Sequence, residues 1–145
     1  MKPPDGHKAR ENTLNDLTGT EWIKATKSWL VCDSKRYRQN RNTELHPARY
    51  PEELVAEFLR FFTKRGGWVL DPFCGSGATL VAALEEGRNS VGIELSGRYA
   101  AMARSRLSGL RNGCEAEVLH ADARDVASPE LWANAPLPAE ADGLP

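Results

Sequence analysis

The stretch VLDPFCGSGATL, Val69 to Leu80, constrains this chain more than any other. An apolar run closes on a carboxylate, Asp71. Pro72 follows, then two glycines one residue apart, Gly75 and Gly77, and then a helix start built from small residues. Glycines let the backbone bend sharply and approach a ligand closely. They stand here at the carboxyl end of a strand, where open α/β sheets bind ligands. The question is whether the loop serves a nucleotide-like ligand or only a tight strand-to-helix turn.

The flanking chain sets the architecture. WVLD reads as a short buried strand, and Ala78 to Glu86 as a helix with Gly87 placed as its left-handed stop. SVGIEL is a second strand, Tyr99 to Leu107 lie in a second helix, and AEVLHAD is a third strand running into a loop. Strands alternating with helices predict an α/β fold with a parallel sheet. Upstream, HPARYPEELVAEFLRFFTKRGG predicts a helix. Pro51 suits its first turn, Glu52 and Glu53 favour its positive end, and Leu54, Val55, Phe58, Leu59 and Phe62 form an apolar stripe. Lys64 and Arg65 suit its last turn, and Gly66–Gly67 stop it.

Before that, TGTEWIKATKSWL predicts a helix with a capping box at Thr18 and Glu21, and with Trp22, Ile23, Thr26 and Trp29 sharing one face. The organisation is therefore a disordered polar segment over residues 1–13, a helix and basic loop over 14–45, an α/β portion over 46–127, and an irregular tail, rich in Ala and Pro, over 128–145.

Composition excludes several classes. A net charge of −1 rules out a globally basic nucleic-acid coat, although Lys35, Arg36, Arg38 and Arg41 make the loop after Cys32 locally basic and a candidate for DNA phosphates. An ordinary solvated loop has the same composition. No apolar run reaches the roughly 20 residues needed to cross a bilayer, and the polar start is no signal peptide. Cys32, Cys74 and Cys114 are odd in number, scattered and without a CxxC pair. Reduced thiols in a cytoplasm fit that pattern better than disulfides or a metal site.

Three ligands compete for the glycine loop. A phosphate-binding P-loop needs Gly-Lys-Ser/Thr, whereas Gly77 is followed by Ala78 and Thr79; that reading fails. A dinucleotide loop wants Gly or Ala at its sixth position, which here is Leu80. An NAD-dependent dehydrogenase fragment is thereby weakened but stays open. S-adenosyl-L-methionine (SAM) needs no phosphate cradle. Its amine and sulfonium are cationic, and its ribose and adenine need hydrogen-bond acceptors. The chain supplies a carboxylate at each strand end: Asp71, Glu94 and Asp122. Neighbouring parallel strands lie about 4.8 Å apart, so these acids can share one crevice. Glu94 could accept both ribose hydroxyls and Asp122 the adenine amino group. Each acid alone could equally cap a helix. Together with the glycine loop they favour SAM.

At these residues the chain resembles the DNA amino-methyltransferases that modify adenine N6 or cytosine N4, across about Leu14 to Val126. DPFCGSGATL is similar to their glycine-rich SAM motif, HPARYP to the motif preceding it, and GIELSGRY and HADARD to their ribose and adenine motifs. The resemblance implies a partial Rossmann-like methyltransferase fold. It also implies that Asp71, Phe73, Gly75 and Gly77 wrap the methionyl end and that Thr79 reaches its carboxylate. His46 and Pro47 would begin the segment closing over that end, with Glu94 holding the ribose and Asp122 the adenine.

The resemblance also implies an Asp/Asn/Ser-Pro-Pro-Tyr/Trp loop that carries the chemistry in that family. The target amine is a poor nucleophile, and the flipped base must be stacked and hydrogen-bonded before it attacks. No such tetrapeptide occurs: the sole Pro-Pro is Pro3–Pro4, between Lys2 and Asp5. The expectation is a cofactor-binding portion with no catalytic residues of its own. It would be completed by a second chain carrying that loop or by association of copies, or else left as a poorly active product. A non-catalytic SAM-binding or partner-binding regulatory module is the competing reading. Cys74, inside the cofactor loop and not after a proline, reads as a small packing residue rather than a nucleophile.

Overall fold

The computed structural model describes residues 12–26, 50–110, 112–133 and 135. Among them, three parallel strands form one sheet in the order β1 (Trp68–Asp71), β2 (Asn89–Glu94), β3 (Ala116–His120). The described residues also form five α-helices: α1 (Gly19–Ala25), α2 (Glu52–Phe62), α3 (Ala78–Glu85), α4 (Gly97–Leu107) and α5 (Pro129–Trp132). A 3₁₀ turn, Ala123–Ala127, follows β3.

Helices α3 and α4 are the two crossovers, and both step across the sheet in the same direction. Right-handed connections then place both on one face. The packing agrees. Leu80, Val81 and Leu84 of α3 meet Ala100, Ala103 and Leu107 of α4 over Val118 of β3 in one core. A second cluster joins Leu59 of α2 to Ala82 and Ala83 of α3, with Val55 and Val69 against it. Each fully buried aliphatic side chain, such as Leu80 or Ile93, stabilises the fold by about 1.5–3 kcal/mol. The alternation of small and large residues along α3 lets it pack on both α2 and α4.

Polar ties close the layer. Arg88 is buried; its Nε donates to Thr63 Oγ1 at 3.1 Å, its Nη2 to Thr63 O at 2.9 Å and its Nη1 to Glu86 O at 2.6 Å. It thus joins the ends of α2 and α3. Asn15, also buried, donates through Nδ2 to Phe61 O, and Asp16 Oδ2 accepts from Arg65 N at 2.8 Å. These two residues dock the N-terminal segment on the end of α2 by satisfying polar groups that a helix terminus leaves unpaired.

Several details differ from the expectations. The capping box forms, with Thr18 N donating to Glu21 Oε2 at 2.8 Å, but α1 ends at Ala25 and Ile23 points to solvent. Trp22 instead turns to α2, its ring centroid 4.7 Å from that of Phe61. In α2, Pro51 is the N-cap rather than a first-turn residue. Lys64 and Arg65 fall beyond the C-cap Thr63, leaving Arg60 as the basic residue of the last turn. The buried side of α2 is Ala56 and Leu59; Phe58 and Phe62 are exposed and stack on each other with centroids 6.4 Å apart. A short helix, α5, stands in the tail expected to be irregular, with Pro129 at its first turn. Strand β1 is only half-buried, with Leu70 open on the face away from α3.

Candidate cofactor site

The carboxyl ends of the three strands carry the acids in a regular stagger. Asp71 pairs with Gly92, Glu94 stands two residues further along β2, and Glu94 pairs with His120, two residues before Asp122. Each step of two residues preserves the side-chain face and advances the acid by about 6.6 Å along the strand direction. Asp71 and Glu94 therefore share one face at the carboxyl ends of their strands, and Asp122 stands in the turn just beyond the end of β3.

Glu94 is built into the glycine loop. Its Oε2 accepts from Gly75 N at 2.9 Å, and its Oε1 accepts from Ser96 N at 2.8 Å. The loop after β1 is thereby bolted to the loop after β2, and Cys74 N donating to Ile93 O at 3.0 Å adds a second bolt. Asp71 Oδ1 accepts from Phe73 N at 3.0 Å, folding the loop back over the end of its own strand. Phe73 projects into solvent at 80% exposure, and Leu95, next to Glu94, is 68% exposed. Two apolar side chains thus stand open at the edge that carries the acids. Thr79 lies half-buried in the first turn of α3.

The glycines differ in what fixes them. Gly77 caps α3 at φ +82°, and a Cβ there would stand 3.0 Å from Ala103 Cβ and 3.3 Å from Ala103 Cα. Close packing of α4 is reason enough for this glycine, whatever the loop binds. Gly92 is a further constrained position: a Cβ would fall 2.7 Å from both Cβ and Sγ of Cys74. Cys74 fills the space above Gly92, so each requires the other to be small. Burial, and then the charges of Asp71 and Glu94, push the Cys74 thiol up to about 12. It is a packing residue and no nucleophile.

Asp122 is the N-cap of the 3₁₀ turn. Its Oδ1 accepts from Arg124 N at 2.9 Å, while its Oδ2 accepts from Arg124 Nε at 3.0 Å and Nη2 at 2.6 Å. The Arg124 side-chain bonds, and then its backbone bond, hold the Asp122 carboxyl down at about 2. Arg124 escaped notice in the sequence, although an Asp two residues before it is the signal for such a local turn. His120 was also missed. Its Nε2 lies 3.0 Å from Leu95 O, and its ring packs on Gly97, joining the end of β3 to the start of α4.

His46 and Pro47, and the basic residues Lys35, Arg36, Arg38 and Arg41, lie outside the described residues. A groove of about 230 Å³ between α1 and α2, lined by Lys24, Glu57, Phe58, Phe61 and Phe62, is lined by none of the three acids. Among the described residues no group of His, Cys, Asp and Glu is placed to hold a metal, and no helix is long and apolar enough to cross a membrane.

A parallel α/β layer with a glycine loop bolted to an acid on the next strand defines a nucleoside-binding sheet edge. The sequence comparisons specify it further. The family model described as DNA methylase, covering the N6 and N4 enzymes, matches residues 3–105, and the chain belongs to that DNA amino-methyltransferase family. It is similar to the type II methyltransferase M.MthZI of Methanothermobacter thermautotrophicus, 39% identical over 88 residues, 61% of this chain and 24% of that protein. M.BglI of Bacillus subtilis is 38% identical over 85 residues, 59% of this chain and 23% of that protein. A solved structure of TTHA0409 from Thermus thermophilus, complexed with SAM, is 33% identical. It aligns over 72% of this chain and 42% of that one at a TM-score of 0.45. The chain thus spans about a quarter of the length of the two methyltransferases it matches.

Proposed function

We propose that this chain forms the cofactor-binding part of a SAM-dependent DNA methyltransferase acting on the exocyclic amine of adenine or cytosine. The observation that carries the reading is the Glu94 carboxylate taking the Gly75 N–H. It fixes the glycine loop beside an acid that still has free acceptor positions. The donor set suits the cofactor. Asp71 and the loop backbone face the cationic methionyl end, Glu94 offers acceptors for the ribose hydroxyls, and Asp122 offers one for the adenine amino group. When bound, SAM supplies an electrophilic methyl group. Phe73 and Leu95, open at the same edge, exclude water from one side of the ligand. His46, Pro47 and Thr79 complete the methionyl end on this reading, and Lys35, Arg36, Arg38 and Arg41 supply phosphate contacts to DNA.

The edges of the sheet support a complementing chain or a second copy. Glu115 O accepts from Ser90 N, so the alternate carbonyl of Val118 faces outward, and there Arg104 Nη2 donates to it at 2.7 Å. A capped edge resists further pairing. The opposite edge, β1, has no strand beside it among the described residues. A chain carrying the Pro-Pro-Tyr/Trp loop would add there and bring the groups that position the target amine.

Calorimetric titration of the purified chain with SAM and with NAD tests the cofactor. SAM binds and NAD does not, and Glu94→Gln weakens SAM binding by about tenfold or more, since a bond to a charged acceptor is worth about 1.5–3 kcal/mol. Tighter binding of NAD overturns the assignment. Methyl transfer to DNA by the chain alone is absent or very weak; robust tritiated-methyl incorporation overturns that part.

A further inference from the structure

Arg106 reaches the glycine loop from the helical layer with a charged group. It lies in the last turn of α4, far in sequence from both of its partners. Its Nη1 donates to Ser76 O at 2.7 Å, and its Nη2 donates to Glu52 Oε1 at 2.5 Å. Ser76 is the residue between Gly75 and Gly77 and is 3% exposed. Glu52 opens α2 and, at 19% side-chain exposure against 24% for Arg106, is largely shielded from water. The planar guanidinium spans the two acceptors at a fixed angle, which a lysine ammonium at the end of a flexible stem cannot reproduce.

The loop is therefore gripped from two directions. On the sheet side, Glu94 takes the Gly75 N–H. On the helix side, Arg106 takes the Ser76 carbonyl and is itself held by Glu52. The peptide before Gly75 is thus tied to the sheet and the peptide after Ser76 to the helical layer, so the short stretch between them is held at both ends. The grip falls on the loop between Gly75 and Gly77, whereas Asp122 and the Glu94–Ser96 bond make no contact with Arg106.

We propose that Arg106, anchored by Glu52, is a positioning residue that sets the glycine loop for the amino-acid end of the cofactor and leaves the nucleoside end untouched. The inference rests on the SAM reading of the site. It predicts a split by ligand. S-adenosylhomocysteine carries the amino-acid end, whereas 5′-methylthioadenosine carries the nucleoside alone.

The test is calorimetric titration of the full chain and of Arg106→Lys and Glu52→Gln with both compounds, well below the melting temperature of each variant. Arg106→Lys weakens S-adenosylhomocysteine by about tenfold and leaves methylthioadenosine within twofold. Glu52→Gln shows the same selectivity at smaller size, because it removes the anchor and not the contact. Equal weakening of both ligands, or no change in either, overturns the positioning role; equal weakening would make the pair a structural brace. If the unaltered chain binds neither compound, the SAM reading itself falls, an outcome distinct from a variant that loses the split.

Discussion

Replacing Gly77 with alanine separates two reasons for a glycine at that place. The residue sits at φ +82°, where an L side chain costs about 1–2 kcal/mol. The added methyl also meets Ala103 Cβ at 3.0 Å and Cα at 3.3 Å. Neither helix can yield freely, because Ala103 is buried at 0% exposure beside Leu80, Val81 and Val118. Overpacking of that kind costs about 1–3 kcal/mol. The sum, about 2–5 kcal/mol, is a large share of the 5–15 kcal/mol typical of a domain. Ala103→Gly alone costs about 1 kcal/mol in helix propensity. If packing fixes the glycine, the double variant Gly77→Ala, Ala103→Gly recovers the steric part and is about 1–2 kcal/mol more stable than the two single costs predict. Urea unfolding followed by tryptophan fluorescence measures all four proteins. Strict additivity, or a Gly77→Ala variant of undiminished stability that merely binds cofactor less well, would refute the packing argument and return the glycine to the ligand.

Two further outcomes follow from the perturbed groups. With its thiol pushed up to about 12, Cys74 stays protonated at pH 8. Iodoacetamide then alkylates the half-exposed Cys114 in the native chain and reaches Cys74 only after unfolding, as peptide mass mapping would show; native labelling of Cys74 would contradict the burial. Asp122, held down at about 2, has a folded value below the unfolded one near 3.9, so the stability it contributes is complete above about pH 4 and is lost as pH falls toward 2. A carbon-detected NMR titration should place its midpoint near 2 and return it toward about 3.9 in Arg124→Ala. A midpoint already ordinary in the unaltered chain would remove Arg124 from the site.

Local signals made the strands and the starts of α1 and α3 legible. WVLD, SVGIEL and AEVLH are short β-rich runs between glycines and polar turns, and a capping box at Thr18 needs only residues three apart. The faces of α2 were not legible, because its stripe of five apolar residues exceeds what one neighbour can cover. Leu59, with Val55 beside it, takes the contact with α3, leaving Phe58 and Phe62 outside. The same limit applies at the site. That acids end the three strands could be read directly, but what each carboxylate bonds to depends on loop closure between residues as distant as Gly75 and Glu94. Gly92 illustrates the case: its need to be glycine comes from Cys74, and nothing local to β2 announces that.

Helix capping and ligand binding are usually weighed against each other for an acid at a strand end, but the hydrogen-bond count leaves room for both here. An ionised carboxylate offers about four acceptor positions. Among the described residues Glu94 spends two, on Gly75 N and Ser96 N, which leaves two for a pair of ribose hydroxyls. Asp122 spends three, all on Arg124, which leaves one for a single amino donor. Asp71 spends one, on Phe73 N, and keeps three, matching the three donors of an ammonium group. The backbone bonds do more than satisfy loops: they orient each carboxylate before any ligand arrives. The negative charges of Asp71 and Glu94 are felt inside the turn: after burial, they are the next causes that push the Cys74 thiol up. A cationic sulfonium and amine entering there would be attracted by those charges, whereas the pyrophosphate of a dinucleotide would be repelled by them. The electrostatics of the turn therefore discriminate between the two ligands that the glycines alone leave open.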